Sequence, residues 1–138
     1  MEKWYGSAGI CVNEKNQLLM VLQGKPEEKK LWTIPSGGKE ADETFEDCCV
    51  REIKEETGYD VKIVRKLKVK EGKTFGIDVV VQYFEVKIVS GAMEMNDPDG
   101  LIHDIAWKSE KEIEDLELSF PEDRAFLIKI LNINNNSL

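Results

Sequence analysis

Two hydrophobic periods divide the chain. Short apolar runs bounded by turn residues read as strands at Ile10-Cys11-Val12 and Leu18 to Leu22, flanking a turn at Asn13 to Asn16. Gln23 to Lys30 is polar, holds Gly24 and Pro26, and reads as a loop. Leu31 to Ile34 is a short strand stopped by Pro35, and Ser36-Gly37-Gly38 reads as a tight turn. From Thr44 to Thr57 the spacing turns helical, without Gly or Pro, and Gly58 follows where a helix prefers to stop. Strand signals return at Val61 to Val64, at Leu67 to Val69 and, most strongly, over Asp78 to Val89. Gly91 to Gly100 is irregular and Leu101 to Trp107 reads as a strand. Ser109 with Glu112 forms a capping box opening a helix to about Leu116. Ser119 with Glu122, and Pro121 in the first turn, opens another to about Leu131, after which the asparagine-rich stretch 132–138 is expected to fray. Strands interleaved with helices, and no repeat or linker, predict one α/β domain over residues 1–138.

Composition narrows the class. At 138 residues, 41% hydrophobic and 33% charged, the chain can bury a core without staples and is neither disordered nor collagenous. Cys11, Cys48 and Cys49 are too few for a disulfide scaffold and wrongly spaced for zinc, so buried thiols in a reducing cytoplasm are expected. No apolar run reaches the ~18–20 residues of a membrane span, and the first residues lack the pattern of a signal peptide. A net charge of −8 argues against binding duplex nucleic acid, which favours a basic face. Nearly all of that charge lies between Glu40 and Asp60, where nine acids face two bases, Arg51 and Lys54.

On a helical wheel of ~100° per residue, Phe45, Cys48, Cys49 and Ile53 form the apolar stripe. Glu52 and Glu56 fall in the middle of that stripe and Glu55 near its edge, while Asp47 and Lys54 point away. Half-desolvated carboxylates this close repel one another and are driven to protonate unless a cation compensates them. One arginine cannot neutralise three acids. Oxygen ligands so clustered suit a hard divalent ion, Mg²⁺ with Mn²⁺ as a substitute.

From Gly37 the chain reads G-GKEAD-E-TFEDCCV-RE-I-K-EE-T-G-Y, which resembles the box of the Nudix (MutT-like) hydrolase family. Gly37, Glu43, Arg51, Glu52, Ile53, Glu55, Glu56 and Gly58 match in register, and Tyr59 stands where an aliphatic residue is usual. The resemblance implies a mixed β-sheet sandwiched between helices (α/β/α) and Mg²⁺-dependent hydrolysis of a nucleoside diphosphate linked to another group. It further implies that Glu52, Glu55, Glu56 and the Gly37 carbonyl hold the metal while Glu43 and Arg51 orient them.

Such hydrolysis needs a carboxylate to take a proton from the attacking water. Glu52 is the first choice for that base, with Asp97, Asp99 and Asp104 in or near the irregular stretch as alternatives. Trp32, Tyr83 and His103 are candidates for contacting substrate, although strand aromatics such as Tyr83 and Phe84 more often serve the core. Trp4 and Tyr5 belong to the core or to an interface. A small nucleotide is the expected partner, no membrane is, and a homodimer stays open. The other class of function compatible with the box is a catalytically silent nucleotide-binding or regulatory module on the same fold. Which nucleotide is bound is set outside the box.

Overall fold

The computed structural model describes residues 3–136. Among these residues seven strands form two sheets flanked by helices. The first sheet orders β4 (Ser36–Gly38), β1 (Lys3–Ile10), β6 (Ile77–Gly91) and β5 (Tyr59–Thr74). In it β1 runs parallel to β6 and antiparallel to β4. The second is antiparallel and orders β3 (Leu31–Thr33), β2 (Leu18–Gln23) and β7 (Ile102–Lys108). The mixed, helix-flanked architecture that the resemblance implies is therefore present, with its strands divided between two sheets.

Alternation along the strands builds two cores. Ala8, Leu18, Met20 and Tyr83 face one way, meeting Ile113 of α2 (Glu110–Asp115) and Leu127 and Leu131 of α3 (Arg124–Asn136). Leu19, Val21, Phe84 and Val86 face the other, meeting Cys49 and Ile53 of α1 (Phe45–Thr57). Burying each large aliphatic side chain stabilises the fold by ~1.5–3 kcal/mol, so a slip of one residue in any strand would exchange the two cores at a prohibitive cost. All three cysteines are buried and free.

The helix starts follow their local chemistry. Thr44 caps α1 by accepting from the Asp47 N–H at 3.0 Å, a contact worth ~1 kcal/mol. Gly58 ends α1 at a φ of 86°, which favours glycine. Ser109 and Glu112 form the expected reciprocal capping box on α2.

Five local expectations are corrected. The first strand is not Ile10 to Val12 but Lys3–Ile10: its small and polar residues look unlike a strand until β4 and β6 pair on both sides. Ser36-Gly37-Gly38 is strand β4 rather than a turn, because each residue finds a partner on β1. The separate strands at Val61 and Leu67 are one strand, β5, bent by register shifts near Ile63 and Lys66. The Ser119–Glu122 capping box is absent: Phe120 precedes a 3₁₀ turn over Pro121–Asp123, without a side-chain cap, and α3 starts at Arg124. The tail expected to fray from Asn132 stays helical to Asn136; residues 137–138 lie outside the described part.

Candidate active site

The α1 acids gather where the last turns of the helix meet β4. Gly37 is required by this approach, since a Cβ there would lie 2.1 Å from the Glu52 carboxyl carbon. Its carbonyl oxygen accepts the Cys48 thiol at 3.6 Å, and Ser7, its partner on β1, donates to the Phe45 carbonyl at 2.7 Å. Backbone and helix are thus locked at the point where the acids emerge.

Arg51 organises the cluster. Its Nε and one terminal nitrogen grip the two oxygens of Glu43 at 2.5 and 2.8 Å, and that nitrogen also donates to the Gly38 carbonyl at 2.9 Å. The other terminal nitrogen donates to Glu52 at 2.8 Å and Glu55 at 3.2 Å. This fork holds the Glu43 carboxyl down at about 2, and the acids in turn raise the guanidinium above its already high value.

Glu56 is left out of that network. It is 6% exposed, and its carboxyl accepts the Ser36 N–H at 3.2 Å. Burial pushes it well above the ordinary carboxylate range; Glu52, with which it shares a hydrogen bond, adds to the rise, and so does the charge of Asp97. Glu52 is also raised, by burial first, and Arg51 only partly opposes this. Two carboxyls this close favour the protonated form unless a cation intervenes.

Both acids lie on the buried side of α1, as the wheel placed them. Among the described residues no three His, Cys, Asp or Glu side chains form a ready cage for a metal ion. The physical reason is visible: Glu55 is turned onto Arg51, and Glu52 and Glu56 bind each other. The donor set nonetheless fits a hard divalent ion, because it is all oxygen, carries excess negative charge and is desolvated.

The other candidates disperse. Asp97 shapes its own loop, accepting from the Asp99 N–H at 3.2 Å and the Ile102 N–H at 3.0 Å. Asp104 accepts the Ile105 N–H at 2.8 Å, and Asp99 is exposed. His103 contacts the Gly24 carbonyl at 3.0 Å, and the Lys108 ammonium lies 4.3 Å from the Trp32 ring centre. Tyr83 is 3% exposed and donates to Asp123 at 2.9 Å. Asp123 escaped sequence reasoning, and Trp4, read there as core or interface, has a different setting. Asp123 is a carboxylate 4% exposed, held by Tyr83 and by Lys70 at 3.2 Å. Trp4 lines a cavity of about 420 Å³ that also touches Ser36 and Asp123. A 3.6 period starting at Ser119 hides Asp123 in a helix turn, and nothing in sequence joins positions 4, 70 and 123.

Comparison with known proteins gives the family of the chain. The NUDIX domain profile matches residues 4–129, and the chain belongs to that family. A putative 8-oxo-dGTP diphosphatase of Bacillus subtilis is 37% identical over 70 residues, covering 51% of this chain and 45% of that one. The NAD-capped RNA hydrolase NudC of Vibrio parahaemolyticus is 41% identical over 56 residues, 41% of this chain and 21% of that one. The matched stretch spans less than half the length of either relative. A NUDIX hydrolase structure from Nitrosomonas europaea superposes with a TM-score of 0.80 at 19% identity, covering 99% of this chain and 90% of that one, a likeness of fold. Among the described residues no helix is long and apolar enough to cross a membrane.

Proposed function

We propose that this chain is a Mg²⁺-dependent pyrophosphohydrolase that cleaves a nucleoside diphosphate linked to another group, with water attacking a phosphorus of the diphosphate. The observation that carries the reading is the Glu56 carboxyl, 6% exposed, accepting the Ser36 N–H and lying beside the acid Glu52, whose neighbouring arginine is already engaged by Glu43. Buried structural acids are normally paired with a cation, and a divalent ion would supply the charge missing here.

Glu52, Glu55 and Glu56, with the Gly37 carbonyl, would hold the ion, Mg²⁺ or in its place Mn²⁺. When bound, the ion neutralises charge on the phosphates and lowers the pKa of coordinated water. Arg51 and Glu43 would keep the carboxylates aimed, a role that the five donor contacts of the guanidinium support. Glu52 acts as the base: burial makes its carboxylate a better proton acceptor than an exposed acid, and it stands against Gly37 of β4. Asp97 is the weaker alternative because both of its oxygens already order the loop. Asp99 and Asp104 stand further from consideration, the one exposed and the other tied to β7. Three unpaired thiols suit a reducing compartment such as the cytoplasm.

The test is a phosphate-release screen over a nucleotide panel, with Mg²⁺ and with EDTA, on the wild type and Glu52→Gln. Turnover of at least one diphosphate-containing nucleotide, abolished by EDTA, is expected, with kcat reduced ~100-fold or more in the variant at saturating metal. Nucleotide binding without turnover across the panel would establish the silent module instead. Near-normal kcat in Glu52→Gln would move the base to Asp97.

A further inference from the structure

The β5–β6 ribbon carries a charge opposite to that of the molecule. β5 holds six of the chain's 19 lysines and arginines and two of its 27 acids, although the net charge is −8. It is also an edge strand, and lysines on an edge guard against stray pairing with other strands. Edge protection accounts for the charge but not for its phase. Lys62, Arg65, Lys68 and Lys70 are unevenly spaced, and in a regular strand Arg65 would point away from the other three.

Two β-bulges rephase the strand. Register shifts between Ile63 and Arg65 and between Lys66 and Lys68 each absorb one residue. The partners of the four bases on β6 are therefore Lys87, Glu85, Tyr83 and Val81, every second residue without a break. Cross-strand partners share a face, so all four bases stand on the side of Tyr83, where α3 packs, in steps of ~7 Å. Part of this row lacks counter-charge. Lys62 and Lys87 are exposed and directly opposite one another, an unfavourable arrangement for like charges. Among the described residues neither is paired with an acid, and nor is Lys68. The Lys68 ammonium rests instead on two rings, 3.9 Å from the centre of Phe126 and 4.9 Å from that of Tyr83. Arg65 binds Glu85 at 2.8 Å, and Lys70 is taken up by Glu122 and Asp123.

We infer that this face of the ribbon is a track for the phosphates of a single-stranded nucleic acid, held by Lys62, Lys87, Arg65 and Lys68. It lies on the opposite side of the sheet from α1, whose Cys49 and Ile53 pack on the Phe84 face, so it stands apart from the acid cluster. A linear polymer with one charge per unit matches evenly stepped cations. A lone phosphate would use a single step, and a lipid surface favours a broad patch with apolar side chains to insert. The row is one strand wide, which suits one backbone rather than the two of a duplex. Lys68, already pinned on its rings, loses little side-chain freedom on binding. Phosphate contacts carry no sequence information, so the track is indifferent to base.

The experiment follows a fluorescent oligouridylate of ~10 nucleotides, with a hydroxyl at its 5′ end, by anisotropy in EDTA. Neither a diphosphate nor a metal takes part, so this inference and the hydrolase reading fail separately. Between ~50 and ~200 mM salt the affinity should fall with a log–log slope of about −2 to −3, as three or four phosphate contacts imply. Lys62→Glu with Lys87→Glu should weaken binding at least ~10-fold, whereas Lys15→Glu with Lys111→Glu, exposed bases elsewhere and the same change of net charge, should cost less than ~3-fold. Lys62→Glu alone sets opposite charges across the strands, so its melting temperature should hold or rise while binding weakens ~3-fold or more; it decides if the double variant does not fold. No binding at ~50 mM salt, or equal losses in the two double variants, overturns the inference. Capture of phosphatidylserine vesicles without binding of the oligouridylate overturns it in favour of a membrane.

Discussion

Two carboxylates, one on α1 and one in the 3₁₀ turn, are buried to almost the same degree, and their surroundings are opposite. Asp123, 4% exposed, faces the Lys70 ammonium and the Tyr83 hydroxyl. Glu56, 6% exposed, faces the Ser36 N–H and another acid. The first is a satisfied ion, bound into the fold by side chains from β5 and β6. The second is a debtor of charge, tolerable as a protonated acid and comfortable as an anion only beside a cation. Burial alone therefore says little about role; the sign of the nearest partners separates an acid that holds the structure from one that awaits a ligand.

Removing the charge from each acid should separate them most sharply. Glu56→Gln keeps size and shape, so metal-dependent hydrolysis is expected to fall ~100-fold or more while the metal-free melting temperature holds or rises. Full activity in that variant would put Glu56 among the structural acids and erase the contrast. Asp123→Ala should do the reverse to stability: it takes the acceptor from Tyr83 and one of the partners from Lys70, at ~2 kcal/mol or ~5–10 °C in Tm. An unchanged melting curve would show that this carboxylate is not a structural ion.

The smallest effect is in pH. A carboxyl raised in the folded state, as Glu52 and Glu56 are, favours folding while it is protonated, and that contribution is lost as pH climbs from its ordinary 4.5 through the raised value. Glu43 acts with the opposite sign, since its carboxyl is lowered to about 2 and its contribution disappears only as pH falls from 4.5 toward that value. Metal-free melting temperatures should therefore decline gently from mildly acidic to neutral pH, and Glu56→Gln should flatten the decline. A profile identical in the variant would place the slope in other groups.

How far the sequence reaches follows the same division. The α1 site was legible because one helix carries nearly all of it: a 3.6 period places Glu52 and Glu56 among Cys49 and Ile53, and Thr44 and Gly58 mark the ends. Its backbone half was misread, since Ser36-Gly37-Gly38 has turn composition and becomes a strand only through pairing with β1. The cavity was not legible at all. Trp4, Lys70 and Asp123 come from β1, β5 and the 3₁₀ turn, and no periodicity links residues that far apart. Tyr83 shows how an aromatic residue named for substrate contact can serve mainly by holding a neighbouring acid in place.

The pairing of β1 with β6 also bears on the order in which the molecule assembles. Lys3 lies beside Asp78 and Ile10 beside Glu85, so the first strand made must wait for one made some seventy residues later. The β5–β6 hairpin closes over a short loop and can form early, whereas inserting β1 requires a far larger loop closure. Gly37 and Gly38 reach their places only by pairing with β1. The backbone on which the acids converge is thus completed late in folding, and a chain arrested before that step would carry the acidic helix against β5 and β6 but without the β4 backbone its carboxylates meet.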